Sequence, residues 1–82
     1  MAEELLLDVR ELEPPEPLVR VLAAAEQLQP GCRIRMVQRF EPYPLYPMLQ
    51  ERGFCYRVEP RDATRYDILI WRADDPASGS LA

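Results

Sequence analysis

The sequence predicts an α+β domain: a two-layer α/β sandwich in the order β-α-β-α-β-β, with a four-stranded mixed sheet and both helices on one face. Three observations carry that expectation. Two short helical stripes each open on prolines, four apolar or alternating runs surround them, and Pro30-Gly31 and Gly53 stand where the helices must stop. Successive right-handed crossovers that run the same way put both helices on the same sheet face. A chain of 82 residues has room for one such unit. The domain is expected over 1–72. The stretch 73–82, which includes Asp74-Asp75-Pro76 and Ser78-Gly79-Ser80, is expected to be a disordered tail.

The first strand is expected over 4–9, a short run of apolar residues too brief for a helix. Pro14-Pro15-Glu16-Pro17 then fits the opening turn of a helix, where backbone N–H groups have no partner to lose. Glu13 and Glu16 set negative charge at the positive end of that helix. Leu18, Val21, Leu22, Ala25 and Leu28 form its apolar stripe. The second strand, 32–40, alternates Ile34 and Met36 with Arg33 and Arg35. A short second helix is expected over 44–52, starting at Pro44 and ending before Gly53. Phe54, Tyr56 and Val58 mark the third strand, 60–64 a turn, and 65–72 the fourth strand.

With this parity the inner sheet face carries Ile34, Met36, Phe54, Tyr56, Val58, Tyr66, Ile68 and Ile70. The outer face carries Arg33, Arg35, Cys55, Arg57, Asp67, Leu69 and Trp71. The fourth strand decides this most sharply, because a slip of one residue would exchange Ile70 for Trp71.

Composition excludes more chemistry than it suggests. Histidine is absent, which removes Ser-His-Asp and Cys-His catalysis and imidazole-ligated metals. Lysine is absent too, so all ten cations are arginine and no Schiff-base or phosphate-loop lysine exists. A net charge of −4 disfavours nucleic acid as a partner. Two cysteines, Cys32 and Cys55, are too few for a disulfide framework or an all-thiolate zinc site, and they read as reduced thiols of a cytoplasmic protein. No run approaches the length of a membrane span, and the acidic start is unlike a signal peptide. No cofactor or metal is implied.

Several of these segments together carry a resemblance. Leu7-Asp8, Leu12-Glu13-Pro14-Pro15-Glu16-Pro17, Gln29-Pro30-Gly31 and the closing run Tyr66-Asp67-Ile68-Leu69-Ile70-Trp71-Arg72 resemble, in order and spacing, the TusA/SirA-like superfamily over about residues 5–72. The resemblance implies the same β-α-β-α-β-β fold. It also implies a functional position at the start of the first helix, where that family keeps Cys-Pro-x-Pro. Here the sulfur-carrying cysteine is replaced by Pro14. Together with Glu41-Pro42-Tyr43-Pro44-Leu45-Tyr46, this resembles a bacterial branch of the superfamily, a domain of unknown function that lacks the cysteine. That branch often has a histidine just before the second motif. This chain has Arg39-Phe40-Glu41 there.

Four groups of residues are candidate sites, each with a plainer structural reading. Pro14, Pro15, Glu16 and Pro17 form a partner-binding tip, or simply start a helix. Glutamates already sit at that tip, which disfavours an anion there. Glu41, Tyr43 and Tyr46 line a groove beside it, or are tyrosines half-packed on the core. Cys32 and Cys55 are sulfur-relay or redox thiols, or inert small hydrophobes. Arg33, Arg35, Arg57, Leu69 and Trp71 form an interface on the open sheet face, with RNA as a further option, or the arginines pair within the sheet with Asp67 and Glu59. The expected function is non-catalytic: a binding or adaptor domain whose partner is another protein or a second copy, with sulfur relay through Cys55 or Cys32 and RNA binding as alternatives.

Overall fold

The structure, a computed structural model, describes residues 3–74. Its elements are β1 (Glu3–Asp8), α1 (Glu16–Glu26), β2 (Cys32–Gln38), α2 (Leu45–Glu51), β3 (Phe54–Asp62) and β4 (Arg65–Arg72). The four strands form one sheet in the order β1-β2-β4-β3. β1 and β2 run parallel, while β4 is antiparallel to both of its neighbours, so the sheet is mixed.

The register fixes the faces. Ile34 lies opposite Ile70 and Met36 opposite Ile68. Tyr56 and Val58 face the same two isoleucines from the other side. Ile70 is fully buried, and Trp71 falls on the opposite face beside Cys55, so β4 has the expected parity. Val21 and Ala25 of α1 and Leu45 and Leu49 of α2 join Ile34, Met36, Ile68 and Ile70 in one buried cluster. Each fully buried aliphatic side chain of that kind contributes about 1.5–3 kcal/mol of burial free energy.

Local departures from the expected bounds have physical causes. β1 ends at Asp8, but Val9 remains buried and its amide donates to the Val37 carbonyl at 3.0 Å. β2 stops at Gln38, two residues early, because the Gln38 side chain takes the Arg39 amide at 2.9 Å and prolines follow at 42 and 44. β3 runs on to Asp62, through part of the expected turn. A register shift between Pro60 and Asp62 absorbs the proline, which has no amide to give the ladder. The turn itself is tightened by Asp62, whose carboxylate accepts from the Thr64 amide at 2.8 Å and hydroxyl at 3.0 Å. Pro44 and Arg52 cap α2 and lie outside it. Gly53 follows with φ +83°, the left-handed conformation a side chain resists. Beyond β4, the Ala73 amide still donates to the Gly53 carbonyl at 2.9 Å, and residues 75–82 of the expected tail lie outside the described residues.

Candidate functional site

The parallel pairing of β1 and β2 delivers both proline motifs to one end of the sheet. Pro14–Pro17 follows the carboxyl end of β1 across a short connection, and Glu41–Tyr46 follows the carboxyl end of β2. In open α/β layers this is the edge where ligands bind. The two motifs do not touch through polar or ring contacts: among the described residues no hydrogen bond, ion pair or ring pair joins them. Pro14, Pro15 and Glu16 are exposed, whereas Pro17 is buried within the first turn of α1. The helix starts without a side-chain cap, as a proline-led helix can.

The second motif builds a small ordered cluster. The Tyr46 hydroxyl donates to Glu41 Oε2 at 3.0 Å. The Tyr46 ring stacks on Tyr56 with centroids 4.3 Å apart, which ties α2 to β3. Tyr43 meets Tyr46 edge-on at 6.2 Å. Burial, then the Glu41 carboxylate, push the Tyr46 hydroxyl well above the ordinary tyrosine range. Tyr43 is raised as well, first by its hydrogen bond to Glu41. Both hydroxyls therefore stay protonated at neutral pH, so the cluster supplies donors and aromatic surface and no base. Phe40 and Tyr43 remain 70% and 67% exposed beside it.

A cleft of about 610 Å³ opens at the same end of the sheet. Its walls are Asp8 at the end of β1, Arg10, Glu11 and Leu12 just after it, Arg20 on α1, Arg39 after β2 and Thr64 in the β3–β4 turn. Within it Arg10 grips Asp8 in a two-point pair, Nε to Oδ1 at 3.0 Å and Nη2 to Oδ2 at 2.8 Å. Hydrogen bonds from the Arg10 side chain and amide hold the Asp8 carboxyl below its usual range.

The outer sheet face is organised differently. Asp67 is fully buried there, with Arg35 and Arg65 at 2.8 Å and Arg61 at 3.3 Å. Arg35 reaches on to Glu4 at 2.7 Å and Glu59 at 3.2 Å, and Arg33 pairs with Glu4 at 2.8 Å. Burial opposes ionisation of Asp67, but hydrogen bonds from Arg65, Arg35 and Arg61 outweigh it and hold the carboxyl down at about 2. Leu69 is buried on this face, Trp71 is half-buried, and Arg57 is exposed at 3.7 Å from Glu59. The geometry is that of intra-sheet pairing centred on Asp67.

Neither cysteine forms a disulfide, and both lie at the other end of the sheet from the proline motifs. Cys32 opens β2 and packs partly against the core, while Cys55, near the start of β3, lies opposite Trp71 on the outer face. They occupy opposite faces, and neither stands at the first turn of a helix.

Sequence reasoning missed Arg10, Arg20, Arg39 and Thr64. A signal for two of them is present: Arg10 and Arg39 follow shortly after the ends of the two parallel strands, the positions that rim the carboxyl edge. Among the described residues no helix is long and apolar enough to cross a membrane. Comparison with curated proteins finds no match, and comparison with solved structures finds none either. Residues 6–72, which hold the second half of β1, every other element and both proline motifs, match the family described as "Uncharacterized conserved protein (DUF2249)". The chain belongs to that family.

Proposed function

We propose that this chain is a non-catalytic binding domain, related to sulfur carriers of the TusA/SirA type, that engages a protein partner through the segment after β2. The observation that carries the reading is the pair of exposed aromatics, Phe40 and Tyr43, held beside a rigid Glu41–Tyr46–Tyr56 bracket. Ordered aromatic side chains left in water are costly to keep and are typical anchors of interfaces. Pro14, at the position of the carrier cysteine, supports the absence of chemistry, since a ring imino acid has no nucleophile. Cysteines outside any disulfide suit a reducing cytoplasm. Sulfur relay through them is disfavoured by their distance along the strands from both motifs. RNA binding through Arg33, Arg35 and Arg57 is disfavoured because each faces a carboxylate of its own sheet.

Affinity capture from the native cell extract tests this with three baits: wild type, the Phe40→Ser/Tyr43→Ser double variant, and Trp71→Ala. The expected result is a protein retained by wild type and Trp71→Ala and lost by the double variant. Loss with Trp71→Ala alone moves the interface to the outer face and overturns the assignment, as does equal retention by all three.

A further inference from the structure

We propose that the cleft at the carboxyl ends of β1 and β2 binds a small molecule through an oxyanion group, with Arg39 as the principal guanidinium. A volume of about 610 Å³ lies within the range of small-ligand sites. The argument rests on where charge is left over. Among the described residues, nine of the ten arginines direct a guanidinium at a carboxylate or, for Arg72, at the Leu28 and Glu26 carbonyls. Arg39 has neither. Among the described residues the one polar or ring partner of its guanidinium is the Phe40 ring, with the guanidinium carbon 5.9 Å from the centroid. This occurs in a chain with 14 carboxylates for 10 arginines, where an internal partner is easy to supply.

Arg10 and Arg20 also line the cleft, against its two carboxylates, Asp8 and Glu11. Asp8 is already neutralised by Arg10, so it does not compete for Arg39. Arg20 holds Glu16 only loosely, at 4.0 Å and largely in water, and can turn toward the cleft. The backbone beneath Arg39 is fixed by the buried Gln38 side chain, which reduces the ordering a ligand must impose. A planar guanidinium backed by an aromatic ring suits two-point pairing with a carboxylate or phosphate group. The site adjoins the aromatic segment assigned to a protein partner, since the Phe40 ring backs Arg39, but its walls include neither Tyr43 nor Tyr46, and it does not depend on that assignment.

The test is amide and arginine side-chain NMR of the full chain in low-salt buffer. The chain is titrated with inorganic phosphate, with acetate, and with chloride at matched ionic strength. Saturable shifts centred on Arg39, Arg20 and Thr64 are expected with phosphate or acetate and not with chloride. Whichever oxyanion saturates first identifies the ligand's group. Arg39→Gln should weaken that binding at least tenfold with the rest of the spectrum unchanged, and Arg52→Gln, at the far end of the molecule, should leave it intact. If Arg39→Gln perturbs the fold, Arg20→Gln with a several-fold loss serves instead. Shifts reproduced by chloride, no saturation, or binding unchanged by these cleft variants overturns the proposal.

Discussion

Arg35 and Arg39 sit four residues apart on the same strand and its exit, yet they live in opposite electrostatic worlds. Arg35 lies on the outer face among Glu4, Glu59 and Asp67. Arg39 rims the carboxyl end of the sheet with the Phe40 ring beside its guanidinium. The outer face is a closed account in which buried carboxylate and guanidinium groups satisfy one another. The carboxyl end is left open.

The largest expected effect tests the closed side. Asp67→Ala leaves Arg35, Arg61 and Arg65 facing each other without their shared acceptor. It should cost about 3 kcal/mol by urea unfolding, the scale for breaking a buried ion pair. A loss under 1 kcal/mol would mean that the network is no more than a surface arrangement.

Next in size is an acid limb. Asp67 falls from an ordinary 3.8 to about 2 in the folded state, so its contribution is fully present above about pH 4 and disappears as pH falls through 2. That shift corresponds to about 2 kcal/mol. Glu4, held down chiefly by its hydrogen bond from Arg35, adds in the same direction. Stability measured by denaturant between pH 5 and pH 2 should therefore decline, and Asp67→Asn should flatten the Asp67 part of the decline. An unchanged slope in that variant would assign the acid sensitivity elsewhere.

The smallest effects concern the open side. Tyr46→Phe keeps the stack on Tyr56 and loses the hydrogen bond to Glu41, a cost of about 1 kcal/mol. Arg39→Gln should change stability by less than about 0.5 kcal/mol, because no internal partner is broken. A larger destabilisation by Arg39→Gln would erase the distinction between the two arginines.

Much of the fold was legible because it follows from period and breakers. The stripe from Leu18 to Leu28, the alternation around Ile34 and Ile68, and the glycine at 53 each leave only one comfortable arrangement. Even the pairing of the outer arginines with Asp67 and Glu59 was available, since alternate residues on neighbouring strands must meet. The cleft was not. Its walls come from four separate stretches, and Arg10, Arg20 and Thr64 belong to no common pattern. The β3 extension was hidden for a related reason: Pro60 reads as a breaker unless the register shift that shelters it is known.

The placement of the two thiols has a practical consequence. Cys55 stands on the face and at the end of the sheet farthest in register from the carboxyl edge, and it is partly accessible, whereas Cys32 is partly packed into the core. A fluorophore or spin label attached to Cys55 in a Cys32→Ser background would ride on the rigid sheet without occupying the cleft or the aromatic segment. The native sequence thus already carries an attachment point from which distance or polarisation measurements can watch the other end of the molecule.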